Sequence, residues 1–177
     1  VVESLEVKKK IFKEVSEKVS AETILATNTS SLSITEIAKG ANDPKRVVGM
    51  HFFNPVDKMP LVEVIRGQET SDEAVATVFQ YAKKLGKTPI VVKDAPGFVV
   101  NRILGPYLNE AVYLLLEGVT PTRMDNVMEK FGMPMGPITL LDEVGLDVAG
   151  KVSHVLFQAF GERMKPPTAL DMVVKEG

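Results

Sequence analysis

His51, in the run Val47 to Phe53, and Glu63, in the run Leu61 to Ile65, are residue types that together can make a general base and the group that orients it. Both runs have strand-like patterns. The connection Asn54 to Pro60 carries two prolines and is too short for the crossover that parallel pairing requires, so the runs are predicted to form an antiparallel hairpin. If Phe53 faces Leu61, His51 faces Glu63, with Cβ atoms about 5 Å apart and a shared hydrogen bond within reach. A slip of one residue would send Glu63 to the other face of the sheet. The same pair would serve equally as a buried polar contact without chemistry.

The other candidate residues depend on the elements that carry them. The chain has 177 residues, 45% hydrophobic and 25% charged, enough for one large globular domain or two small ones. A formal net charge of −2 without a basic block argues against nucleic acid as the main partner. No apolar run approaches the roughly 20 residues of a spanning helix, and no membrane role is indicated. The absence of cysteine removes thiolate chemistry and disulfides. Two histidines, without carboxylates at ligand spacing around them, argue against a catalytic metal.

The opening VVES reads as the end of a strand. From Leu5, the positions Ile11, Phe12, Val15 and Val19 have helical spacing, with Lys8, Lys9 and Lys10 on the solvated face. Thr23 to Thr27 is predicted as a strand, which places Asn28 to Ser31 at its carboxyl end, where ligands gather in open α/β sheets; turn and cap roles would suit these residues as well. Ser33 with Glu36, and Thr70 with Glu73, have capping-box spacing. Val75, Val78, Phe79, Ala82 and Leu85 line one helical face, and Pro89 to Val92 reads as a further strand. Strand and helix therefore alternate through residues 1–94, the pattern of an α/β domain.

Pro96 and Gly97 mark a boundary, and residues 95–177 are predicted to be all-α. Phe98 to Glu117 is apolar nearly all round and should be buried on several sides. Thr120 and Pro121 open a helix with Met124, Val127, Met128 and Phe131 facing inward. Pro134 and Pro137 frame a turn, and Val148, Val152, Val155, Leu156 and Ala159 mark a last helix. Helices this apolar in so short a region suggest that a second copy of the chain covers them.

The motifs NTSSL (Asn28 to Leu32), HFFNPV (His51 to Val56), LVEVI (Leu61 to Ile65), KDAPGFVVNR (Lys93 to Arg102) and PMGP (Pro134 to Pro137) occur in an order that resembles the L-3-hydroxyacyl-CoA dehydrogenase family of fatty-acid β-oxidation. The resemblance covers essentially the whole chain. It implies the carboxyl-terminal part of an NAD-binding Rossmann domain, followed by a helical domain for substrate binding and homodimer formation. It further implies oxidation of (S)-3-hydroxyacyl-CoA to 3-oxoacyl-CoA, in the cytoplasm, or in the mitochondrial matrix or peroxisome of a eukaryote. Carried over motif by motif, His51 is the catalytic base and Glu63 its partner. Ser30 and Asn101 contact the substrate, and Ser30, Asn54, Glu3 and Lys8 contact NAD.

One departure from the family pattern is plain: no GxGxxG, nor any GxG, occurs in these residues. The chain therefore reads as a piece of a larger dehydrogenase, without the glycine loop that meets the pyrophosphate. The 177 residues alone are expected to bind NADH weakly and to turn over substrate slowly or not at all, and micromolar one-to-one binding by calorimetry would contradict that. A dimerisation module with a dead site is the competing reading. A Ser30–His51–Glu63 hydrolase is disfavoured because NTSSL lacks nucleophile-elbow glycines.

Overall fold

The computed structural model describes residues 2–169. It divides into two compact units, Val1–Phe98 and Val99–Gly177. In the first unit, helix α1 (Leu5–Ser16) is followed by strand β1 (Leu25–Thr27), helix α2 (Ile34–Ala38), strands β2 (Val47–Phe52) and β3 (Leu61–Arg66), helix α3 (Asp72–Lys84) and strand β4 (Thr88–Lys93). The strands form one sheet in the order β1-β2-β3-β4. The β1–β2 and β3–β4 pairs are parallel, and β2–β3 is antiparallel.

Both faces of this sheet are covered, which explains its continuous apolar strands. Successive side chains on a strand point to opposite faces. Val47, Ile65 and Val92 accordingly pack with Phe12, Ile34, Ile37 and Phe98 on one side. Their neighbours Val48 and Val64 pack with Val75, Val78 and Ala82 of α3 on the other. His51 shares the parity of Val47, so it points to the side covered by α2 and Phe98.

Three local expectations for this unit need correction. Residues 2–4 form no strand. The cap of α3 is Ser71, whose hydroxyl accepts from Ala74 N at 3.1 Å. Thr70, one residue earlier, is buried and donates to the Val47 carbonyl at 2.6 Å, so its hydroxyl ties the helix entry to β2. Leu85 is exposed, because it is the C-cap of α3 and lies past the last turn of the buried stripe. Ser33 caps α2 as its spacing implied, accepting from Glu36 N at 3.2 Å.

The second unit is helical, and among the described residues it holds no strand. Its helices are α4 (Val100–Leu116), α5 (Pro121–Phe131), α6 (Pro137–Val144) and α7 (Leu146–Phe160), with a short 3₁₀ turn at Gly161–Met164. Pro137 opens α6 instead of framing a turn, since proline suits the first helical position, where its missing N–H is not needed. Val112, Leu141 and Ala149 form the core of this unit.

α4 is not buried on several sides. Its buried positions are Gly105, Asn109, Ala111 and Val112, while Ile103 is 67% exposed and Leu116 is also exposed. On α5 only Met124 is buried, with Val127 exposed and Phe131 81% exposed. The apolar spacing is present in both helices, but among the described residues these side chains stay exposed. Among the described residues no helix is long and apolar enough to cross a membrane.

Candidate active site

The antiparallel register places His51 opposite Glu63, flanked by Met50 opposite Val64 and Phe52 opposite Val62. His51 Nδ1 lies 2.8 Å from Glu63 Oε2, and both side chains are buried. An ionised carboxylate can only accept, so Nδ1 carries the proton in this bond. The ring is thereby held in one tautomer, with Nε2 as its lone-pair nitrogen. Two aromatic rings lie against the imidazole, Phe53 at 4.5 Å and Phe98 at 5.9 Å between centroids, both tilted. Such an arrangement can take a proton at Nε2 and hold the resulting charge beside a buried carboxylate.

The NTSSL loop begins where β1 ends, beside β2, with Thr27 paired to Gly49. Three side-chain anchors fix it. Glu3 Oε1 accepts from the Thr29 hydroxyl and, at 3.1 Å, from Ser30 N. Lys8 Nζ donates to the Asn28 carbonyl at 2.9 Å and pairs with Glu3 Oε2 at 3.1 Å. Asn28 Oδ1 accepts from Phe52 N at 3.3 Å, which joins the loop to the residue after His51.

Lys8 is only 4% exposed, so it does not belong to a solvated lysine face. It is buried because the ammonium finds a carboxylate and a carbonyl together, the condition under which a buried charge is tolerated. Lys9 pairs on the surface with Glu6 and Glu36, and Lys10 with Glu14.

Ser30 is half-buried in this loop, and Asn54 is exposed in the β2–β3 connection. Hydroxyl and amide groups of this kind, at the carboxyl ends of parallel strands, suit the ribose and carboxamide of a nicotinamide nucleotide. Asn101 lies in the first turn of α4, in the second unit. There it lines a cavity of about 70 Å³ with Leu104, Leu108, Ala149 and Ser153. The described residues contain no cluster of three His, Asp or Glu able to hold a metal.

Two contributors escaped sequence reasoning. Asp94 Oδ2 accepts from the Ser33 hydroxyl at 2.7 Å, Thr35 N at 2.8 Å and the Thr35 hydroxyl at 2.6 Å, pinning the end of β4 to the start of α2. Phe98 follows that anchor and adopts a left-handed backbone, with φ 48°. The KDAPGF motif contains both, but only as punctuation between domains.

Comparison with known proteins matches the sequence to a family. Residues 1–95 match the model for the 3-hydroxyacyl-CoA dehydrogenase NAD binding domain, and residues 97–177 match that for its C-terminal domain. The fatty acid oxidation complex subunit alpha of Idiomarina loihiensis is 53% identical over 176 residues, which is 99% of this chain and 25% of that protein. The protein of the same name from Shewanella halifaxensis is 52% identical over the same span. The chain thus spans about a quarter of the length of these relatives.

Among solved structures, (S)-3-hydroxybutyryl-CoA dehydrogenase PaaH1 from Ralstonia eutropha superposes with a TM-score of 0.94 at 44% identity, over 100% of this chain and 64% of that one. FadB2 of M. tuberculosis gives 0.95 at 39% identity, with the same coverage. Two adjoining family models that together match nearly every residue place the chain in the 3-hydroxyacyl-CoA dehydrogenase family.

Proposed function

We propose that this chain supplies the general base and part of the substrate and cofactor contacts of an NAD-dependent dehydrogenase that converts (S)-3-hydroxyacyl-CoA to 3-oxoacyl-CoA in the cytoplasm, or in the mitochondrial matrix or peroxisome of a eukaryote. The buried His51–Glu63 pair, bonded at 2.8 Å, carries the reading. His51 Nε2 takes the hydroxyl proton of the substrate. Glu63 holds the opposite ring nitrogen and stabilises the imidazolium that forms. Ser30 and Asn101 orient the reacting oxygen, while Ser30, Asn54, Glu3 and Lys8 serve the cofactor side. NAD, when bound, supplies the hydride acceptor. For Glu3 and Lys8 the support is indirect, since both brace the loop that presents Ser30.

In this reading residues 1–94 belong to the cofactor-binding domain and residues 95–177 to the substrate-binding and dimerisation domain. The activity is tested by adding acetoacetyl-CoA and NADH to an intact dehydrogenase that carries these residues together with the glycine loop, and following the nicotinamide absorbance, which should fall. NADH that binds but is not consumed would favour a dimerisation module with a dead site instead.

The homodimer is supported by the exposed apolar side chains of the helical unit, among them Ile103, Leu116, Val127 and Phe131. A second copy of the chain is the cover we assign to these side chains. Sedimentation at micromolar concentration should give twice the chain mass. A clean monomer under those conditions contradicts it.

A further inference from the structure

Phe98 is a bulky residue in the left-handed region, with φ 48°, directly after Gly97 at φ 72°. A turn that only reversed the chain would carry glycine or asparagine at such a position, because a Cβ is strained there. Here the side chain is only 2% exposed and packs into the core with Phe12, Ile34, Val47 and Val92. The strained backbone is held at both ends. Asp94 is tied by its carboxylate to Ser33 and Thr35 and by its N–H to the Arg66 carbonyl at 2.9 Å. Phe98 N donates to the Ala95 carbonyl, also at 2.9 Å. Strain that the surroundings maintain in this way clusters at functional sites. What the turn delivers is a second ring, 5.9 Å from the His51 imidazole, beside the Phe53 ring at 4.5 Å that β2 itself carries past its end.

We propose that Phe98 is a positioning residue, whose ring, fixed by the Asp94-anchored turn, confines the His51 imidazole and keeps its Nδ1–H on Glu63. The inference rests on the reading of His51 as general base. Leucine or methionine at position 98 fills most of the same volume but offers no flat surface, so the imidazole gains room to rotate about χ2. Loss of alignment costs turnover and not ground-state affinity, because proton transfer needs the aligned geometry while the bound acyl-CoA does not.

The test compares Phe98→Leu and Phe98→Met with Val92→Ala, which loosens the same core but removes no ring beside His51. In the active protein both Phe98 variants should lower kcat about 10- to 100-fold, with KM within about twofold. Their His51 ring ¹⁵N signals, assigned by loss in His51→Gln, should shift from a single-tautomer pattern toward the average of the two. Val92→Ala should do neither. Wild-type signals and wild-type kcat in the Phe98 variants would overturn the proposal, as would Val92→Ala matching them. Should neither Phe98 variant fold, the wild-type protein still decides: the His51 Nδ1 proton must exchange slowly with solvent, and fast exchange would overturn the inference. If the intact wild-type dehydrogenase, glycine loop included, consumes no NADH, the dehydrogenase reading fails, while the ¹⁵N comparison still judges the positioning role.

Discussion

His51→Gln is expected to lower kcat by about 10²–10⁴-fold, the usual value of a positioned proton acceptor. Glutamine can occupy much of the same space and still bond to Glu63, so substrate affinity and fold should change little. It has no group that takes up a proton near neutral pH, however, and the hydroxyl proton then has to leave to water. Glu63→Gln is the sharper experiment, because the amide oxygen can still accept from Nδ1 at the position now 2.8 Å away. The shape is kept, while the charge and one acceptor oxygen are lost. That charge matters when imidazolium forms, so kcat should fall on the order of 10²-fold or more with KM nearly unchanged. The double variant should be little worse than His51→Gln alone, since Glu63 acts through the ring that has been removed. Stopped-flow measurement of NADH formation from 3-hydroxybutyryl-CoA gives both constants, and a rise in KM at constant kcat would contradict the assignment.

The central hairpin was legible because two independent constraints meet in it. Pro55 and Pro60 exclude a helical crossover between β2 and β3, and two-residue periodicity fixes which side chains share a face. Boundaries were less legible where a hydroxyl could serve either of two ends. Thr70 and Ser71 both have capping chemistry, and the choice was made by the Val47 carbonyl, distant in sequence. Lys8 has the helical spacing of a surface lysine, yet it is buried for the same reason. Its burial depends on Glu3 and on the Asn28 carbonyl, and helical spacing contains nothing of that pairing. Helix α4 shows the converse, with apolar periodicity that does not translate into burial, because no described residue covers Ile103. Phe98 was invisible as a site residue, since no rule of composition marks a phenylalanine as left-handed.

Gly136→Ala is expected to destabilise the helical unit by about 2–5 kcal/mol, a large part of the stability of any small domain. Gly136 is the N-cap of α6, with φ −69° and ψ 157°, a conformation that any residue adopts, so space and not backbone freedom requires the glycine. A Cβ there would overlap Cβ, Cγ and Oδ1 of Asp125. The Asp125 carboxylate crosses that gap to accept from Ile138 N at 2.9 Å, Thr139 N at 3.1 Å and the Thr139 hydroxyl at 2.7 Å, so α5 caps the start of α6. Burial pushes this carboxyl up, but the Thr139 hydroxyl and the two N–H groups outweigh it and hold it below the usual carboxylate range. Its contribution to stability is therefore present above the unfolded value near 3.9 and is lost as pH falls through the lowered folded value. Gly136→Ala should remove that acid-dependent part along with the overall stability. Because Asp125 Cβ itself is an obstacle, shortening the side chain does not make room, and Asp125→Ala/Gly136→Ala should be less stable than Asp125→Ala alone. Urea midpoints of the two single variants and the double variant decide the point. Full rescue of Gly136→Ala by Asp125→Ala would show that only the carboxylate, and not the approach of the two helices, demands glycine at this position.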